Sequence, residues 1–267
     1  REIAPQIDIH LSTQANVLNY LDAQVFWDMG VKRIVVAREI SLKDVMEIKK
    51  HLPDMEIEIF VHGSMCFAYS GRCLISAVQM GRVPNRGSCA NDCRFEYTLY
   101  AGNDEHGSLF RLEEEPGVGT YIFNSKDMNL ASHIQEILDS GAVDSLKIEG
   151  RTKSPYYAAV TAKAYREAID DYYAGKFEPE KYQKELHTTK NRGFTDAYLI
   201  HKPFEKTDSQ NHDYALSKGS YEVTGLVTED EHHFLCKYKV YPNEDIEIFT
   251  PHNTVLDTCE NEIGKVF

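Results

Sequence analysis

The sequence predicts an α/β protein in which a parallel sheet of about five strand–helix units is followed by a small β domain. Three observations lead to this prediction. Up to about residue 175, short β-type runs alternate with amphipathic helical stretches. Residues 176–215 are polar and irregular, and three β-type runs follow them. We therefore divide the chain into a βα-repeat domain over 1–175, a linker over 176–215 and a β domain over 216–267.

The first two units are predicted near the N-terminus. Strands are expected at residues 7–11 and 33–37, and a helix at residues 42–52. Ser41 and Asp44 resemble a capping pair at the start of that helix. Between the two strands, apolar residues recur at helical spacing and predict the buried face of another helix: Val17, Leu18, Leu21, Val25 and Met29.

The later units follow the same pattern. Strands are predicted at 56–61, 121–123 and 145–148. The last two precede helices whose apolar faces are Leu130, Ile134, Ile137 and Leu138, and then Val160, Ala164, Ala168 and Tyr172. This alternation indicates parallel strands joined by right-handed crossovers. It fits either an open doubly wound sheet or the later part of an eight-unit TIM-like barrel whose first three units are absent from the chain.

The composition argues against some classes of function. The chain has 29 Lys plus Arg against 42 Asp plus Glu, a net charge of -13, which argues against a generic nucleic-acid binder. It has no apolar run of membrane-spanning length, and its first residues do not resemble a signal peptide, so we expect a cytoplasmic protein with no membrane partner. Residues 62–97 are locally basic and form the one credible anion-facing segment. Their charged residues are Arg72, Arg82, Arg86 and Arg94 against Asp92 and Glu96.

Four of the six cysteines lie in this same segment. Cys66, Cys73, Cys89 and Cys93 could bind zinc or the corners of a 4Fe-4S cluster. Only Cys89 and Cys93 have the close spacing that structural zinc sites favour, whereas wide, irregular spacing suits a cluster. From the residues alone, cluster, zinc and free thiols all stay open. The other two cysteines lie in the far domain.

Residues just after the predicted strands are candidates for chemistry, because ligands of parallel α/β proteins bind at the carboxyl ends of the strands. Bulky or ionisable groups follow several strands, and helix capping does not require them. Glu149 and Arg151 could instead simply pair with each other. The candidates in or beside these junctions are His10, Gln14, His62, Lys147, Glu149 and Arg151.

The motifs around these residues resemble peptidase family U-32, and in particular its bacterial tRNA-hydroxylating branch. The first motif comprises residues 62–73, 85–89 and 93–94, and the second comprises residues 145–154. Residues 10–16 and 53–60 point to the tRNA-hydroxylating branch. The resemblance covers essentially the whole chain.

This resemblance implies a (β/α) barrel without its first strands, an incomplete C-terminal β-barrel-like domain, and a 4Fe-4S cluster held by the four cysteines. The implied activity is oxygen-independent hydroxylation of the tRNA wobble uridine, with prephenate as the associated metabolite. We expect His62, Glu149 and Arg151 to be catalytic, with His10, Gln14 and Lys147 contacting substrate. Arg72, Arg86 and Arg94 would contact RNA phosphate or a small anionic metabolite.

Two alternatives stay open at this stage. One is a collagenase-like peptidase, as the family name suggests, although the sequence contains none of the nucleophile-elbow or zinc-protease motifs that would support it. The other is a non-enzymatic, zinc-stabilised RNA-binding module.

Overall fold

The structure is a computed structural model. It describes residues 3–95, 97, 99–103, 108–112, 125–151, 153–201, 209, 211, 217–221, 223–230, 233–241, 246–250 and 254–257. The strands are β1 (His10–Leu11), β2 (Arg33–Val35), β3 (Glu56–Ser64), β4 (Leu99–Asn103), β5 (Ser108–Leu112), β6 (Asp127–Asn129), β7 (Ser145–Ile148), β8 (Phe194–Thr195), β9 (Gly225–Val227), β10 (Phe234–Cys236), β11 (Ile246–Phe249) and β12 (Thr254–Asp257). The helices are α1 (Tyr20–Asp28), α2 (Leu42–His51), α3 (Ile75–Met80), α4 (Ile134–Asp139), α5 (Pro155–Tyr173) and α6 (Pro179–Leu186).

A six-stranded sheet organises the first part of the chain around β3. β3 pairs in parallel with both β2 and β7, and β1 pairs in parallel with β2. β6 pairs antiparallel with the last residues of β3 and parallel with β8. The predicted α/β fold with a parallel-strand sheet is thus confirmed, but the sheet is mixed because β6 runs against β3. Among the described residues the sheet is open, and the barrel stays a prediction.

Most predicted elements have their counterparts in the structure. β7 has the predicted bounds, whereas β1 is shorter and β3 longer than predicted. The predicted cap of α2 is confirmed, since the Ser41 side chain accepts a hydrogen bond from the Asp44 backbone N–H at 3.2 Å. The predicted strand at 121–123 lies outside the described residues.

The predicted apolar face over residues 17–29 is confirmed only before α1 begins, where Val17 is buried and Leu18 packs against the core. From Leu21 onward it is wrong. Leu21, Val25 and Met29 are all more than half exposed, whereas Ala23 is fully buried. The reason is the position of α2: the Tyr20 ring stacks on the His51 ring with 4.1 Å between centroids, so α1 turns a different side to its neighbour. Apolar spacing identified the helix but not the side that packs.

The core lies between the sheet and the helices and consists mainly of branched aliphatic side chains. Fully buried members include Ile34, Ile57, Ile59, Val45, Ile48, Ile134, Ile137, Val160 and Leu186. They come from β2, β3, α2, α4, α5 and α6, so two central strands of the sheet and four helices share one core.

The stretch predicted as a linker, residues 176–215, contributes to this core. It contains α6, with Tyr182 and Leu186 fully buried, and β8, which joins the sheet. Some of its polar side chains bind protein groups, as where the Asn191 side chain accepts from the Gly193 N–H at 2.9 Å. The polar composition of this stretch thus did not indicate that part of it joins the sheet and the core. The domain boundaries themselves stay a prediction.

The described part of the C-terminal region forms two antiparallel pairs, β9 with β10 and β11 with β12. β11 matches the predicted run 246–249, and its Phe249 ring lies 5.9 Å from the Tyr156 ring of α5. β9 and β10 carry exposed side chains, including Leu226 and Leu235. A search of the described residues finds no helix long and apolar enough to cross a membrane.

Candidate functional site

The parallel pairing of β3 and β7 brings two predicted catalytic residues together at the carboxyl end of the sheet. The backbone N–H of Glu149 donates to the carbonyl of His62 at 2.8 Å. Between them Gly63, at φ +133°, leaves no room for a side chain, since a Cβ there would lie 2.7 Å from the Glu149 carbonyl oxygen. The close approach of the two strand ends therefore depends on glycine at this position.

Glu149 and Arg151 do not pair with each other. The Arg38 guanidinium donates to the Glu149 carboxylate and lies 3.8 Å above the centre of the Phe60 ring. Arg151 instead donates to the backbone carbonyl of Gly87, inside the cysteine segment. Arg38 follows β2, and this position after a strand is the feature by which it could have been identified from the sequence as a site residue.

His62 is buried among aromatic rings and is neutral. Burial, with a smaller contribution from the nearby Lys153, lowers its pKa to about 3 although Asp127 opposes the shift. The rings of Tyr157, Tyr165 and Phe194 lie 5.5 to 5.7 Å from the His62 ring. Its Nε2 has no hydrogen-bond partner among the described residues. A buried, unpaired ring nitrogen is available to a ligand that enters this position.

A buried ion cluster lies beside His62, and sequence reasoning missed it. Asp127 on β6 accepts from Arg192, and both side chains are almost fully buried. The Lys153 ammonium lies 3.4 Å from the same carboxylate. Burial lowers the pKa of Arg192 and of Lys153, and Asp127 opposes both shifts. Arg192 lies in the stretch that was predicted as linker, which is why it was not considered.

None of the four cysteines of the segment 62–97 forms a disulfide bond. Burial raises the pKa of Cys93, the charges of Cys89 and Cys73 add to the rise, and Arg94 opposes it. The crowded surroundings of the Cys66 sulfur raise its pKa as well, although the residue keeps contact with solvent, and Arg38 and Arg94 oppose that shift. The thiols are thus within electrostatic range of one another. As they lie, however, no three His, Cys, Asp or Glu side chains in the described part are arranged to hold a single metal ion.

Hydrogen bonds fix the loop that carries Cys89. The Asn91 N–H donates to the Cys89 sulfur at 3.3 Å. Buried Ser76 donates to the Asp92 carboxylate and accepts from the Ala90 N–H at 3.2 Å. The Asp92 carbonyl in turn accepts from the Tyr97 hydroxyl at 2.6 Å.

The predicted substrate-binding residues occupy different places. Arg94 lies next to Cys66 and donates to the Met65 carbonyl at 3.2 Å, and Arg72 and Arg86 are exposed on the cysteine segment. Lys147 pairs with Glu58 at 3.0 Å. Gln14 lies against Gly71 of the cysteine segment through its backbone, whereas His10 is exposed on β1. The structure thus gathers His62, Glu149, Arg94 and the cysteines, and leaves Lys147 engaged elsewhere.

Fold and site together define an α/β protein that carries a four-cysteine segment at the carboxyl edge of its sheet. A family model described as Peptidase family U32 matches residues 1–209. The chain belongs to this family.

Several curated proteins are similar to the chain. A tRNA hydroxylation protein P of Helicobacter pylori is 62% identical over 266 residues, which cover 100% of this chain and 63% of that protein. A protein of the same name from Escherichia coli is 38% identical, over 99% of this chain and 68% of that protein. A collagenase of Porphyromonas gingivalis is 32% identical, over 73% of this chain and 48% of that protein. The chain therefore spans less than two thirds of the Helicobacter relative, and no solved structure gives a significant match.

Proposed function

We propose that the protein is an RNA-modifying enzyme that hydroxylates the wobble uridine of tRNA. The observation that carries this proposal is the similarity, over essentially the whole chain, to proteins named for tRNA hydroxylation. The four-cysteine segment beside His62 and Glu149 supports it, because this arrangement places possible ligands of a redox centre next to ionisable groups at the carboxyl end of the sheet.

A 4Fe-4S cluster suits this donor set better than zinc does. Burial raises the pKa of Cys66 and of Cys93, but Arg38 and Arg94 oppose the shift at Cys66, and Arg94 and Arg192 oppose it at Cys93. These arginines would stabilise the thiolates that a cluster binds. Zinc needs its ligands around one ion, whereas a cluster accepts them at separate iron corners. The wide, irregular spacing of the four cysteines therefore favours the cluster. When bound, it would supply one-electron chemistry.

The protein groups beside the cysteines would bind and orient an anionic metabolite. Arg94, Arg192 and Lys153 interact with one another electrostatically, and Asp127 carries a compensating negative charge. Cys93 is a further negative group that acts on Arg192, so three cations face two negative groups and leave an excess of one positive charge. A small carboxylate would neutralise it, and prephenate, the metabolite implied by the family resemblance, belongs to that class.

His62 would act in its neutral form. With a pKa of about 3 it does not carry charge near neutral pH, so its free Nε2 can accept or donate one hydrogen bond but does not supply a fixed positive charge. Glu149, held by Arg38, would orient substrate at the opening of the same site.

The tRNA activity is tested by mass spectrometry of tRNA nucleosides from a strain that lacks the gene and any redundant hydroxylation pathway. Hydroxylated wobble uridine should disappear, and the intact gene should restore it, whereas His62→Ala should not. Unchanged modification in the deletion strain would overturn the proposed activity.

The cofactor is tested by iron, sulfide and zinc analysis after anaerobic purification. Wild-type protein should contain iron and sulfide, and replacing Cys66, Cys73, Cys89 or Cys93 individually by Ser should remove most of both. Cys236→Ser is the matched control, because Cys236 is an exposed free thiol on β10. A colourless wild-type protein with stoichiometric zinc would refute the cluster and favour a zinc-stabilised module.

A peptidase remains the second candidate, because one relative is named a collagenase. Cleavage of denatured collagen by the purified protein, lost on a single substitution at His62 or Glu149, would support it. Absence of cleavage under conditions in which tRNA is modified would reject it.

A further inference from the structure

We infer that the outer face of the cysteine segment is the surface that holds unpaired nucleotides of the RNA substrate; this inference rests on the proposed function. The outer face is defined by three aromatic side chains and three arginines that are all exposed: Phe67, Tyr69, Phe95, Arg72, Arg82 and Arg86.

The charge of this segment differs from that of the whole chain. Residues 62–97 contain four Arg and two acidic residues, Asp92 and Glu96, which gives a net charge of +2. The whole chain carries -13, so the remaining residues carry -15. Asp92 is fully buried against Ser76. A polyanion is repelled by most of the chain and attracted here.

Exposed aromatic rings accompany this charge. Tyr69 is 64% exposed, Phe67 51% and Phe95 49%, although large aromatic side chains usually bury most of their surface. Bases of single-stranded RNA stack on such rings, whereas the bases of a duplex are already stacked on each other. Arginines interleaved with exposed rings therefore fit unpaired nucleotides better than a duplex.

The segment presents these side chains on a folded layer. The Cys73 N–H donates to the Asn85 side chain at 3.2 Å, and Arg82 Nε donates to the Ser88 hydroxyl at 3.3 Å. Arg151 attaches the same layer to the loop after β7, and Gly71 packs on the Gln14 backbone. RNA bound to this layer would be held next to the cysteines and the end of the sheet, where a target base must enter.

The test measures binding by fluorescence anisotropy with two labelled RNAs, a hairpin with a uridine-rich loop and a blunt duplex with the same stem. The protein is the full chain with its cofactor, at several salt concentrations. Wild type should bind the hairpin more tightly than the duplex. Tyr69→Ala should weaken hairpin binding by about tenfold or more, which is the usual effect of losing one stacking platform.

The paired substitution Arg72→Ala with Arg82→Ala should lower the magnitude of the salt slope by about 1.4, because each single-strand phosphate contact contributes about 0.7. Tyr173→Ala and Arg166→Ala on α5 are the matched controls, since both residues are exposed and lie outside the cysteine segment. They should leave affinity and slope unchanged. Circular dichroism of each variant verifies folding.

Three results would contradict the assignment of this face to RNA binding. They are equal effects of the test and control variants, equal affinity for hairpin and duplex, and self-association that Tyr69→Ala abolishes while RNA binding persists. The last would assign the face to a protein contact.

Nucleoside analysis distinguishes failure of the proposed RNA-binding surface from failure of the proposed function. If the surface variants bind and hydroxylate RNA as wild type does, the surface is wrong and the activity stands. If wild type binds the hairpin through this face but hydroxylates no RNA, the activity is wrong and the surface stands.

Discussion

The Arg151 guanidinium donates a hydrogen bond to the backbone carbonyl of Gly87 and so joins the loop after β7 to the cysteine segment. Sequence reasoning selected Arg151 as a catalytic candidate because it follows a strand. The contact indicates a structural role as well, which is to hold the segment that carries Cys89 and Cys93 against the end of the sheet.

We predict that Arg151→Ala loosens the cysteine segment without unfolding the protein. The lost contact is a charge-assisted hydrogen bond at an exposed side chain, so global stability should change by about 1 kcal/mol or less. Amide hydrogen exchange in residues 81–95 should accelerate, while exchange in β3 should not change. Arg166→Ala is the control for loss of an exposed guanidinium. Unaltered exchange in residues 81–95 would show that Arg151 does not tether the segment.

A second prediction compares two glycines with similar backbone conformation. Gly71 and Gly81 have φ of +73° and +65°, but a Cβ at Gly71 would clash with the Gln14 carbonyl, whereas nothing lies within 4 Å of one at Gly81. Gly81→Ala should cost about 1–2 kcal/mol for the left-handed conformation alone. Gly71→Ala should cost clearly more, because the backbone must also move. Urea unfolding midpoints measure both, and equal midpoints would mean that the cysteine segment does not pack on residue 14.

The third prediction concerns His62 and pH. Its folded pKa of about 3 lies below the ordinary value of 6.5, so as the pH falls the unfolded chain takes up the proton first. The stabilisation is complete above pH 6.5 and declines by about 1.4 kcal/mol per pH unit between pH 6.5 and about 3. Urea unfolding of wild type and His62→Gln at pH 7, 6 and 5 isolates this contribution from that of the carboxylates. The variant should lose less stability over that range, and parallel curves would contradict a neutral, buried His62.

The fourth prediction concerns the buried pair of Asp127 and Arg192. Asp127→Asn leaves Arg192 and Lys153 buried without their carboxylate, and the free energy of unfolding should fall by about 3–5 kcal/mol. Asp170→Asn at the exposed Arg166–Asp170 pair is the control and should cost less than about 1 kcal/mol. Similar losses in both variants, measured by urea unfolding, would refute the buried pair.

The sequence by itself determined the local elements and the cysteine segment. β7 and the start of α2 follow from β-type residues and the Ser41 cap, which act over a few residues and need no distant partner. The motifs around Cys66 and Glu149 likewise sufficed to indicate the family to which the chain belongs.

Only the tertiary structure decided which surfaces pack and which charges pair. The side of α1 that is buried depends on α2, and the pairing of Asp127 with Arg192 joins positions 65 residues apart. The polar stretch after α5 enters the core through Tyr182 and Leu186 of α6. Apolar periodicity and composition predict the secondary structure that a segment favours by itself. Burial and ion pairing depend on neighbours that are remote in the chain, so a local pattern does not contain them.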